Sequence, residues 1–183
     1  GDVPASPTYQ HFRAFLARHP QANLLFGAST YEFIESFSRP SHTARPRGEG
    51  QWYESHNSAL LIDTSGRADI FHKSKLVVGV ESTPYPALFR HVDEWLGGVM
   101  GRCSGQPEVS NLVFREYAPV ASAAPAAAAA VSAAPTRGIP IGCAICYESV
   151  YGEYCTEYIR RGARLLTIIT NDAWGCFIEV FFP

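Results

Sequence analysis

"GIPIGCAICYESVYGEYCTEYIRRGARLLTIIT", residues 138–170, decides the fold class. Its opening, Gly138 to Cys146, is an apolar run of strand length. Residues 149–163 read as a helix: Val150, Tyr154 and Tyr158 recur on one face, and Arg160, Arg161 and Gly162 give a basic last turn and a C-cap. "RLLTIIT" (164–170) is a second apolar strand. Strand, helix and strand in one short stretch form a βαβ pattern, which argues for an α/β protein.

The same stretch holds Cys143 and Cys146, three residues apart. Such a pair reads as a redox CxxC, as half of a metal site, or as one nucleophile with a bystander. A redox CxxC sits in the first turn of a helix, where the helix dipole lowers the thiol pKa. Here Cys143 falls inside the strand run and Cys146 at its end, so equal exposure of the two thiols is not expected. A structural zinc site needs about four ligands at matching spacing, and no second CxxC follows. Cys146 at a strand end is presented at the carboxyl edge of a sheet, where the next backbone N–H groups favour a thiolate and an oxyanion. The bland alternative is a buried cysteine that only fills space.

Working outward, 46% hydrophobic and 13% aromatic residues mark a globular chain. A net charge of −2 gives no basic excess to neutralise phosphates, which argues against nucleic acid as partner. Gly1 to Pro7 lacks the basic and apolar regions of a signal peptide. No apolar run reaches the roughly 18 residues of a membrane span, so the expectation is either a soluble protein or one whose membrane part lies outside this sequence. Five cysteines at irregular spacing do not suggest a disulfide framework.

"PTYQHFRAFLARHP" (7–20) reads as an amphipathic helix through Tyr9, Phe12 and Leu16, ended by Pro20. "ANLLFGAST" (22–30) reads as a strand and 38–51 as a loop. Residues 56–63, 64–67 and 68–78 read as strand, turn and strand. "YPALFRHVDEWLGG" (85–98) is a second amphipathic helix. Residues 118–135 hold eleven alanines, three prolines and no charge, and read as a low-complexity linker or inserted loop.

"AICYESVYGEY" followed by a strand and "TNDAWG" (170–175), and preceded by "HNSALLID" (56–63) and "FHKSKLVVGVE" (71–81), resembles the carbon–nitrogen hydrolase (nitrilase) superfamily. Within it the Cys-Tyr-Glu and Asn-Asp-x-Trp elements resemble the apolipoprotein N-acyltransferases. The resemblance runs from about residue 20 to 175. It implies an α/β fold, a nitrilase-like α-β-β-α sandwich, incomplete at both ends. Residues 1–183 would then form a partial domain with an Ala/Pro-rich insert at 118–136.

What the resemblance implies for the site is a Glu–Lys–Cys triad acting through a thioester. Cys146 matches the nucleophile and Lys73 the lysine, with Lys75 as rival. Glu81 matches a second family glutamate that would orient the lysine or the incoming amine, although "VVGVE" departs from the commoner Pro-Phe-Gly-Glu. Glu148 matches the position after Tyr147, either with a chemical role or only as a first-turn carboxylate favoured by the helix dipole. Tyr147 and Asn57 match positions that contact substrate or support the site. No cofactor or metal is implied. The implied donor is a phospholipid and the acceptor a diacylated lipoprotein. The implied location is the bacterial inner membrane, with the catalytic domain in the periplasm. The family's Trp-Pro-Glu base element is not found in the sequence, and Glu32 and Glu35 come too late in the order to match it. The segment alone is therefore expected to be inactive. The rival readings are a soluble amidase or nitrilase, a thiol-redox module, and a non-catalytic fragment.

Overall fold

The structure, a computed structural model, describes residues 7–38, 40–77, 81–82, 103–117 and 135–170. In chain order come α1 (Pro7–Arg18), β1 (Asn23–Glu35), β2 (Arg45–Gly48), β3 (Gln51–Asp63), β4 (Ala68–His72), β5 (Leu112–Glu116) and β6 (Arg137–Ile145). A 3-10 turn (Cys146–Val150), α2 (Gly152–Arg160) and β7 (Leu165–Ile169) complete it.

The strands form two sheets. In the first, β1 pairs antiparallel with β3 along its whole length, and β2 and β4 pair with β3 on its other edge. In the second, β6 lies between antiparallel β5 and parallel β7. The parallel β6–β7 pair is joined through α2, as the βαβ pattern predicts. Strand alternation then sorts the side chains. Ala59, Leu61 and Phe71 turn toward the second sheet and meet Leu112, Ile141, Cys143 and Ala144 in one core. Ile62, Leu24, Phe26 and Ala68 turn the other way, where Tyr9, Phe12 and Leu16 of α1 cover them. The two sheets with their helices are consistent with the nitrilase-like sandwich.

Asn23 joins the sheets without a strand between them. Its side chain donates to the Arg115 carbonyl at 2.7 Å and accepts from the Arg115 N–H at 2.9 Å. Gly142 on β6 has a packing role. A Cβ there would stand 2.7 Å from Cβ and Cγ of Tyr158, whose hydroxyl donates to the Cys143 carbonyl at 2.8 Å. Gly142→Ala is expected to cost about 1–3 kcal/mol by overpacking, read as a melting temperature lower by several degrees.

Several element boundaries differ from the sequence reading. β1 runs on to Glu35, and the expected loop at 38–51 supplies β2 and the first residue of β3. β4 stops at His72 instead of continuing to Val78. The helix expected at 149–163 is split: Ser149 and Val150 belong to the 3-10 turn, Tyr151 is extended, and α2 begins only at Gly152. Val150, expected on the buried face, lies in the 3-10 turn and is 65% exposed. β5 was not anticipated: its five residues include Arg115 and Glu116, and no alternation marks them. The helix expected at 85–98, most of the 118–136 insert and residues 171–183 lie outside the described residues.

Candidate active site

β6 ends at Ile145, and the chain turns sharply at Cys146. A φ of 54° is a left-handed conformation that a non-glycine residue adopts only when its surroundings enforce it. The turn leaves Cys146 exposed while Cys143 remains buried within β6. Burial pushes the Cys143 thiol up, partly offset by Thr167 and reinforced by Glu148. Burial also raises the thiols of Cys103 and Cys155. Cys143 and Cys146 are both free thiols, one buried within β6 and one exposed at its end.

The enforcing group is Glu148, which is fully buried. Its Oε2 accepts from the Ile145 N–H at 2.9 Å. Its Oε1 accepts from the backbone N–H groups of Ser74 at 2.7 Å and Lys75 at 2.9 Å, and from the Tyr154 hydroxyl at 3.0 Å. One carboxylate thus clamps the residue before the cysteine to the two residues after Lys73. Burial, with Glu148 adding to it, holds Tyr154 protonated with its pKa up to about 12, so the hydroxyl remains a donor. Glu148 was anticipated either as a chemical group or as a first-turn carboxylate of a helix. It lies on the 3-10 turn before α2, and both its oxygens are engaged by protein donors.

Lys73 follows directly after β4 and is fully buried. Its Nζ donates to both oxygens of Glu81 at 2.8 Å. Glu81 also accepts from Asn57 Nδ2 at 2.6 Å and from the Val77 N–H at 2.8 Å. Asn57 holds the lysine a second way, since its carbonyl accepts the Lys73 N–H at 2.7 Å. Lys75, the rival, is not buried beside it. Its Nζ stands 5.7 Å from the centre of the Tyr154 ring. Tyr147 is 48% exposed beside Cys146 and meets Tyr151 edge to face at 5.5 Å.

The structure therefore gathers Lys73, Glu81 and Asn57 in one buried network and ties that network to the Cys146 turn through Glu148. The sequence reading did not single out Ser74 or Tyr154 as donors to Glu148. Only the aromatic stripe of α2 hinted at Tyr154.

A family model for carbon–nitrogen hydrolases matches residues 34–177, and the chain belongs to that family. The apolipoprotein N-acyltransferase of Chlorobaculum tepidum is 31% identical over 130 residues, covering 68% of this chain and 21% of the relative. That of Chlamydia pneumoniae is 33% identical over 124 residues, covering 67% and 19%. That of Geobacter metallireducens is 33% identical over 90 residues, covering 43% and 17%. The chain spans about a fifth of the length of these curated relatives.

Proposed function

We propose that the chain carries the nucleophile and lysine of an apolipoprotein N-acyltransferase. The single observation behind this reading is the exposed Cys146 on a left-handed turn, clamped by buried Glu148 to the Lys73–Glu81 pair. The Cys146 sulfur attacks the ester carbonyl of a phospholipid. The tetrahedral oxyanion is met by the Lys73 ammonium and a backbone N–H near Tyr147. The ester C–O bond breaks, and the lysophospholipid leaves as the alcohol, carrying a proton. The N-terminal amine of a diacylated lipoprotein then attacks the thioester. A C–N bond forms, the C–S bond breaks, and a proton returns to sulfur.

The surface beside the cysteine favours an acyl substrate over a small polar amide. Tyr147, Val150 and Tyr151 are 48%, 65% and 45% exposed, which gives an apolar rim next to the nucleophile. Among the described residues no helix is long and apolar enough to cross a membrane. Membrane attachment in the bacterial inner membrane, with this domain in the periplasm, would come from other segments. The glutamate base is proposed to lie outside these 183 residues as well, because Glu81 and Glu148 are already committed to Lys73 and to backbone donors.

An activated ester separates nucleophile from base, since its leaving group departs without proton help. Incubation with the p-nitrophenyl ester of a long-chain fatty acid is expected to add one acyl mass, on Cys146, and none in Cys146→Ala. A phospholipid and a diacylated lipopeptide are expected to give no amide product with this chain alone. Equal labelling of Cys146→Ala would sink the nucleophile assignment. Amide product would sink the assignment of the base to another segment.

A further inference from the structure

The face of β3 turned away from Asn57 carries a second cluster that the acyl-transfer reading does not use. Glu54 and His56 are two apart on β3 and share this face, and Glu32 lies directly opposite Glu54 on β1. Like charges directly opposite across a strand pair are destabilising unless something lies between them. Glu54 is buried, and the Ser41 and Thr43 hydroxyls donate to its Oε1. Those hydroxyl donors favour its carboxylate form.

His56 is the independent observation. It is 6% exposed, and its Nδ1 lies 2.9 Å from the Ser104 carbonyl. A carbonyl only accepts, so Nδ1 carries the proton and Nε2 presents its lone pair. Nε2 is buried without a hydrogen bond and lies 3.7 Å from Glu32 Oε2. A histidine whose far nitrogen donates to a backbone carbonyl is the usual posture of a metal ligand. One ligand atom from each of Glu32, Glu54 and His56 lies within 4.8 Å of the others. Glu32, 65% exposed at its side chain, is free to close the remaining gap. A cavity of about 770 Å³ lined by Glu32, His56, His72 and Thr30 opens onto the cluster and gives water or a small ligand access to it.

We propose that Glu32, Glu54 and His56 bind one divalent first-row transition ion. Zinc fits best, because one imidazole and two carboxylates leave a fourth, tetrahedral position open toward the cavity. The ion would neutralise the opposed carboxylates and tie β1 to β3 behind the strand that carries Asn57.

Cobalt(II) titration of the purified chain reads this site optically and separates it from the cysteines. The expected result is one Co2+ per chain, with ligand-field bands, no thiolate-to-cobalt charge-transfer band, and displacement by Zn2+. Glu32→Gln is a surface change that does not threaten folding, and it should weaken binding at least ~10-fold. His56→Gln should do the same, while His11→Gln on α1 leaves binding unchanged. The proposal is overturned by no saturable binding, by a thiolate charge-transfer band at the tight site, or by binding that Glu32→Gln and His56→Gln leave unaltered.

Discussion

Glu148→Ala is expected to lower the melting temperature of the domain by roughly 10 °C or more. The substitution leaves the N–H groups of Ile145, Ser74 and Lys75 without their fully buried acceptor. A buried donor left unpaired costs about 1–3 kcal/mol, borne in full at Ile145 and in part at the partly buried Ser74 and Lys75 amides, for a total on the order of 2–6 kcal/mol. A domain has about 5–15 kcal/mol to lose. Thermal melting followed by circular dichroism measures the effect. A helix-dipole role alone would be worth only about 0.3–1 kcal/mol, so a small shift would refute the clamp. Glu148→Gln should fall between the two, because it keeps one acceptor oxygen and turns its amide toward a donor. Its surviving folded fraction should load acyl groups slowly, since the Cys146 turn and the Lys73 loop would no longer be held together.

Lys73→Met is expected to reduce acyl loading from the activated ester by about 10²–10³-fold, the range seen when one oxyanion-stabilising group is removed. Methionine preserves the unbranched apolar stem, so packing around the buried side chain changes little. Glu81 keeps two of its partners, Asn57 and the Val77 N–H. Breaking a buried ion pair nevertheless costs about 3–5 kcal/mol, so loading is compared at a temperature where the variant's melting curve shows it folded. Lys75→Met, which removes the cation 5.7 Å from the Tyr154 ring, is the control and should load normally. If the two variants reverse these roles, the lysine assignment falls.

Much of the site was legible because local patterns carried it. The apolar run 138–146, the aromatic stripe of the following helix and the apolar run 164–170 fixed the βαβ unit, whose strands pair in parallel. The end of that first run placed Cys146 at a sheet edge. The cysteine pair was settled toward unequal thiols by the same strand boundary, in line with their observed burial. Family resemblance, not periodicity, selected Lys73 over Lys75 and drew in Glu81 and Asn57.

What the sequence determined by itself was the α/β class, the strand-end position of the cysteine and the chain's place in its family, since each is written in contiguous residues. What only the tertiary structure decided was the clamp. Ser74 and Glu148 are 74 positions apart, and Asn57 and Glu81 are 24 apart. Their contacts depend on how a loop after one sheet meets a turn at the end of the other. The Glu32–Glu54–His56 cluster is of the same kind: strand register alone brings β1 opposite β3, and no spacing within either segment announces it. Hydrophobic period is a local property that a segment carries with it. The pairing of buried polar groups is long-range, because each must find its partner wherever the fold delivers one.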